Sequence, residues 1–95
     1  MDEVAFEQFL DADKGITSKK AVSTRMSKAR AVEKIFGSLD RIVSSDAEML
    51  RVLLAINNKM NNVKGGYSNA LRKYYTFKNG RIFPKIDAYD FENSK

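Results

Sequence analysis

Apolar residues recur at helical spacing in four separate stretches of this chain. Over residues 2–13, Val4, Ala5, Phe6, Phe9 and Leu10 form one stripe with Asp and Glu between them. The early acids suit the positive end of a helix dipole, and Lys14-Gly15 supplies a stop. Thr17 or Ser18 caps a second helix that runs to Phe36, with Val22, Met26, Ala29, Val32 or Glu33, and Phe36 on its inward face. Gly37 is a natural C-cap. Leu39 to Val43 predicts a short helical turn. Ser45-Asp46-Ala47-Glu48 then reads as a capping box before an apolar run. Met49, Val52, Leu53, Ile56 and Met60 fill one face of that helix, the most hydrophobic of the set. Asn57, Asn58, Asn61 and Asn62 weaken its end, and Gly65-Gly66 breaks the chain. Tyr67 to Lys78 predicts a further helix, with Tyr67, Ala70, Leu71, Tyr74, Tyr75 and Phe77 available for burial. Asn79-Gly80 ends it. Asn-Gly also marks tight hairpins, so Gly80 to Ile86 is a candidate ribbon, although Pro84 argues against a central strand.

These elements predict an all-α bundle of four or five helices in one domain over residues 1–86. Residues 87–95 are left as a flexible tail or linker stub. The expected core is Phe6, Phe9, Val22, Met26, Phe36, Leu53, Ile56, Leu71 and Phe77. The Met49 and Met60 stripe belongs to it as well.

Two of the helical segments share a pattern. Ser27, Ala29 and Phe36 match Ser68, Ala70 and Phe77 in spacing; both segments are basic and both precede a Gly-containing stop. A repeated basic helix suggests a module that grips a polyanion from two sides. The charge map agrees with this. The net charge of +5 divides into −4 over residues 1–17, +5 over 18–36, −1 over 37–58, +7 over 59–85 and −2 over 86–95. Residues 59–85 carry no acid. Basic blocks of this kind suit a phosphate backbone, through counterion release.

Other functions are disfavoured by what is missing. At 95 residues the chain buries a modest core and encloses no large substrate pocket. It has neither Cys nor His. Disulfides and thiolate sites are therefore excluded, together with the usual neutral-pH base and the commonest zinc ligand. No phosphate loop, nucleophile elbow or EF-hand spacing is present. A binding module without catalytic residues, cofactor or metal is expected. A magnesium-dependent nuclease built from Asp and Glu is the enzyme alternative. No apolar run is long enough to span a membrane, and the acidic start is not a secretory signal, so a cytoplasmic location is expected.

Phe6-Glu7-Gln8-Phe9-Leu10, then Gly15-Ile16-Thr17-Ser18, then the basic helix ending at Phe36, resemble the N-terminal core-binding domain of tyrosine recombinases and phage integrases. The segment from Tyr67 to Phe77, with Ser68, Ala70, Leu71 and Arg72, is similar to a later helix of that family. The resemblance covers residues 4–80. It implies a SAM-like orthogonal bundle that forms the non-catalytic half of a clamp around duplex DNA, with a C-terminal catalytic domain as partner. The family's chemistry needs Arg, His and Tyr on that second domain, so any catalysis would lie outside this chain. The Asn-rich stretch from Asn57 to Gly66 departs from the family's Leu-Ser-Pro type of turn.

Two sets of side chains are candidate DNA contacts. The first is Lys19, Lys20, Thr24, Arg25, Ser27, Lys28 and Arg30. Lys20, Thr24, Ser27 and Lys28 share a helix face that mixes hydroxyl and ammonium groups, as phosphate oxygens require. The second is Lys64, Tyr67, Asn69, Arg72, Lys73 and Lys78. Gly65-Gly66 would bring backbone N–H groups to a phosphate at a helix start, and Arg72 would reach a phosphate or a guanine edge. The aromatic residues Tyr67, Tyr74, Tyr75 and Phe77 read as core at this spacing, with base stacking as their other possible role. The alternative function is a protein-interaction adaptor whose basic surface meets an acidic partner.

Overall fold

The computed structural model describes residues 1–62 and 65–84. They form five helices: α1 (Glu3–Ala12), α2 (Lys19–Phe36), α3 (Leu39–Val43), α4 (Asp46–Lys59) and α5 (Gly66–Asn79). No strand occurs among the described residues. The molecule is the all-α bundle that the periodicity predicts.

Local chemistry sets most boundaries. Asp2, Ser18, Ser38 and Ser45 each turn a side-chain oxygen onto a backbone N–H in the first turn of α1, α2, α3 and α4. Ser18, and not Thr17, caps α2. The capping box at α4 is half-formed. Ser45 Oγ accepts from Glu48 N, while the Glu48 carboxylate turns away to Arg41 and Arg51. Gly37 and Gly80 close α2 and α5 with φ of 98° and 71°, a region an L side chain enters only with strain.

The core joins all five helices. Phe6, Leu10, Val22, Met26, Ala29, Val32, Leu39, Ile42, Met49, Val52, Leu53, Ile56, Leu71, Tyr74 and Tyr75 are buried. Phe9, Phe36, Phe77 and Met60 lie at its margin, half-buried, rather than at its centre. Tyr74 and Tyr75 take the central places instead. Phe6 meets the Tyr74 ring edge-on at 4.9 Å, and Phe9 and Phe77 complete this aromatic cluster. Base stacking by Tyr74 or Tyr75 is therefore ruled out, since both rings are enclosed. Val32 takes the inward position at the end of α2. The adjacent Glu33 is half-buried and accepts both the Met1 ammonium and the Leu39 N–H.

Residues 81–84 do not form the candidate ribbon. Phe83 is buried against Tyr75, with ring centroids 5.1 Å apart, and the Arg72 guanidinium takes the Phe83 and Pro84 carbonyls. Residues 85–86, and the tail expected at 87–95, lie outside the described residues.

Candidate nucleic-acid interface

The two basic helices pack directly on each other, and α2 against α5 is the most extensive helix pairing in the bundle. The two charge blocks are thus neighbours on one body, not separate jaws. The shared pattern holds in part at the level of burial. Ala29 and Ala70 are both fully buried, and Phe36 and Phe77 are both half-buried, but Ser27 is exposed while Ser68 is tied into the turn before α5.

The first set of residues divides according to its neighbours. Lys20, Ser23, Thr24, Ser27 and Lys28 line a shallow groove along α2. Spacings of three and four bring them onto one face. Ser23 was not among the expected residues, although its i, i+4 relation to Ser27 places it there. Lys28 Nζ lies 4.3 Å from the centroid of the Tyr67 ring, a cation–π contact that holds the ammonium at the rim. Lys19 and Lys20 are exposed and pair with no carboxylate among the described residues. Arg30 is also exposed, but its Nε donates to Glu3 at 2.6 Å. Arg25 is half-buried, and its Nη1 donates to Ala21 O at 3.5 Å.

The second set is largely engaged within the fold. Arg72 was expected at a phosphate or a guanine edge. Its Nη1 instead donates to Phe83 O at 3.0 Å and Pro84 O at 3.1 Å, and the guanidinium lies over the Phe83 ring. Burial lowers its pKa from the ordinary arginine value. Lys73 pairs with Asp13, which the Lys73 hydrogen bond and the Gly15 N–H hold below the usual carboxylate range. Lys78 sits 3.4 Å from Asp40 and over the Phe77 and Tyr74 rings. Arg81 is 3.5 Å from Asp46. Asn69 is exposed and Tyr67 half-buried beneath Lys28. Lys64 lies outside the described residues.

The expected phosphate cradle at Gly65-Gly66 is already filled from within. Asn62 Oδ1 accepts from Tyr67 N at 2.9 Å and Ser68 N at 3.3 Å, and Gly65 N donates to Asn62 O. Asn62 Nδ2 donates to Asn57 Oδ1 and Ser68 Oγ. The Asn-rich stretch therefore caps α5 as well as ending α4. Asparagine is a preferred capping residue, but its use from a position before a Gly-Gly turn has no fixed sequence spacing.

Among the described residues no group of three or more carboxylates stands together to hold a metal ion, and no helix is long and apolar enough to cross a membrane. No family model, curated protein or solved structure matches the chain.

Proposed function

We propose that this domain binds duplex DNA through the α2 groove, as the non-catalytic clamp module of an integrase- or recombinase-type protein. The observation that carries the reading is the groove's composition. Two ammonium groups and three hydroxyls line it, and among the described residues no carboxylate does. Hydroxyl and ammonium donors on one face are the groups that fix a protein on a phosphate backbone. A second observation supports the same face. Lys19 and Lys20 occupy the first turn of α2, where the helix dipole is positive. Cations at that end oppose helix stability, and an anion docked there removes the penalty. Departures from local consistency of this kind collect at functional sites. The internal pairing of Lys73, Lys78 and Arg81 moves the expected contact surface away from α5. The link to integrases rests on the α1 motif, the Gly15-Ile16-Thr17-Ser18 turn, the basic α2 ending at Phe36 and the α5 motif, and on the all-α bundle.

The test is a DNA titration at several salt concentrations. Lys20→Ala with Lys28→Ala should weaken binding to every sequence and flatten the salt slope by about two units, roughly 0.9 for each phosphate contact. Lys73→Ala with Lys78→Ala should change the slope by less than about half that amount. Equal slopes for the two pairs would sink the groove assignment. Capture of an acidic protein without retention of DNA that survives heparin competition would favour the adaptor.

A further inference from the structure

A second cleft, of about 260 Å³, opens between α1, α2 and α5 beside residues 81–84. Phe9, Asp13, Arg25, Asn69, Arg72, Lys73, Thr76 and Ile82 line it. Among the described residues its charges do not balance. Three cations face one carboxylate, and that carboxylate, Asp13, is held by Lys73. Arg25 and Arg72 are both half-buried, and neither forms a close ion pair among the described residues, although the Asp13 charge, already held by Lys73, also reaches Arg25. Arg72 rests on two neutral carbonyls and a ring. Arg25 has a buried Nε with no hydrogen-bond partner among the described residues. A partly desolvated guanidinium that shares its one nearby carboxylate, among the described residues, with a lysine is costly to bury, and an oxyanion is the group its planar fork accepts best. Phe9 and exposed Ile82 add an apolar wall on the same cleft.

We infer that this cleft is a binding site for a small organic oxyanion. The phosphate or carboxylate head sits between Arg25 and Arg72, and the ring or chain of the ligand lies on Phe9 and Ile82. Asn69 and Thr76 stand at the rim. The site is separate from the α2 groove and does not rest on the DNA-binding reading.

The experiment is a titration of the full chain with phenyl phosphate and with benzoate, followed by amide chemical shifts and calorimetry. Phenol and benzyl alcohol serve as neutral controls. Saturable binding of either anion, with shifts at Asn69 and Thr76, is expected, and the tighter of the two identifies the preferred head group. Arg25→Gln should weaken it roughly tenfold or more, as the loss of a charge-assisted hydrogen bond implies. Asn69→Asp is the second variant. It places a carboxylate at the rim from an exposed helical position and should weaken binding similarly without affecting folding. Lys20→Ala with Lys28→Ala should leave it unchanged. Absence of saturation with both anions, equal binding of the neutral controls, or full affinity in Asn69→Asp would each overturn the assignment.

Discussion

The Lys28 side chain lies across Gly66. A β-carbon at Gly66 would stand 2.9 Å from Lys28 Cε and 3.0 Å from its Cδ. The bare glycine lets the start of α5 sit under the lysine stem, with the ammonium held over Tyr67. One side chain of the α2 groove is thus set in place by an element distant in sequence.

Gly66→Ala should displace Lys28 without unfolding the protein, because the contact is with the flexible end of a side chain and Ala favours a helix. Losing one pre-set side chain should weaken DNA binding by roughly two- to tenfold. Gly65→Ala is the contrast. Gly65 has φ of 71°, so the substitution should cost about 1–2 kcal/mol of stability. Urea denaturation together with DNA titration separates the two effects.

Tyr74→Phe should destabilise the fold by about 1–3 kcal/mol. The Tyr74 hydroxyl donates to Asp40 Oδ1 at 2.6 Å and accepts from Asp2 N at 2.9 Å. Burial and the Asp40 contact push its pKa upward, so it stays a neutral donor at ordinary pH. The phenylalanine leaves the Asp2 N–H without this acceptor. A urea midpoint unchanged from that of the parent protein would contradict this account.

Asn62→Ala should cost about 0.5–2 kcal/mol, the usual range for a lost helix cap. Amide exchange at Tyr67 and Ser68, the two N–H groups that Asn62 holds, should rise selectively. Asn58→Ala, on an exposed site, serves as control.

At alkaline pH the Met1 ammonium is the group to follow. The Glu33 hydrogen bond, and then the charges of Glu33 and Asp40, raise its pKa above 8.0 against the opposing effect of burial. A raised folded-state value means that the stabilisation is complete below about pH 8 and is lost as pH climbs through the folded value. The urea midpoint should fall across that window, and Glu33→Gln or Nα-acetylation should remove the group's share of the change.

At acid pH the corresponding group is Glu48. The Arg51 hydrogen bond, with help from Arg41, lowers its carboxyl from 4.5 to about 2. Its contribution is present above about 4.5 and disappears as pH falls through about 2. Asp13 and Asp40 are also held low and act in the same direction. Glu48→Gln should flatten part of the acid limb of a pH–stability curve; an unchanged limb would show that Glu48 plays no part in it.

Helix positions and the α2 face were readable from the chain because both follow from local spacing. Ser18, Ser45, Gly37 and Gly80 act within one turn of their own helix, so their effect is written in adjacent residues. Lys20, Thr24, Ser27 and Lys28 share a face through the helical period alone. The state of the second basic block depended on long-range neighbours. Lys73 meets Asp13 from 60 positions away, Tyr75 meets Asp46 from 29, and Arg72 holds the carbonyls of Phe83 and Pro84. A charge count cannot separate a free lysine from one neutralised across the bundle, since the difference lies in which helices pack. The same holds for the Arg25–Arg72 cleft. Its walls come from three helices and the segment after α5, and only the tertiary structure brings Arg25 and Arg72 to one place.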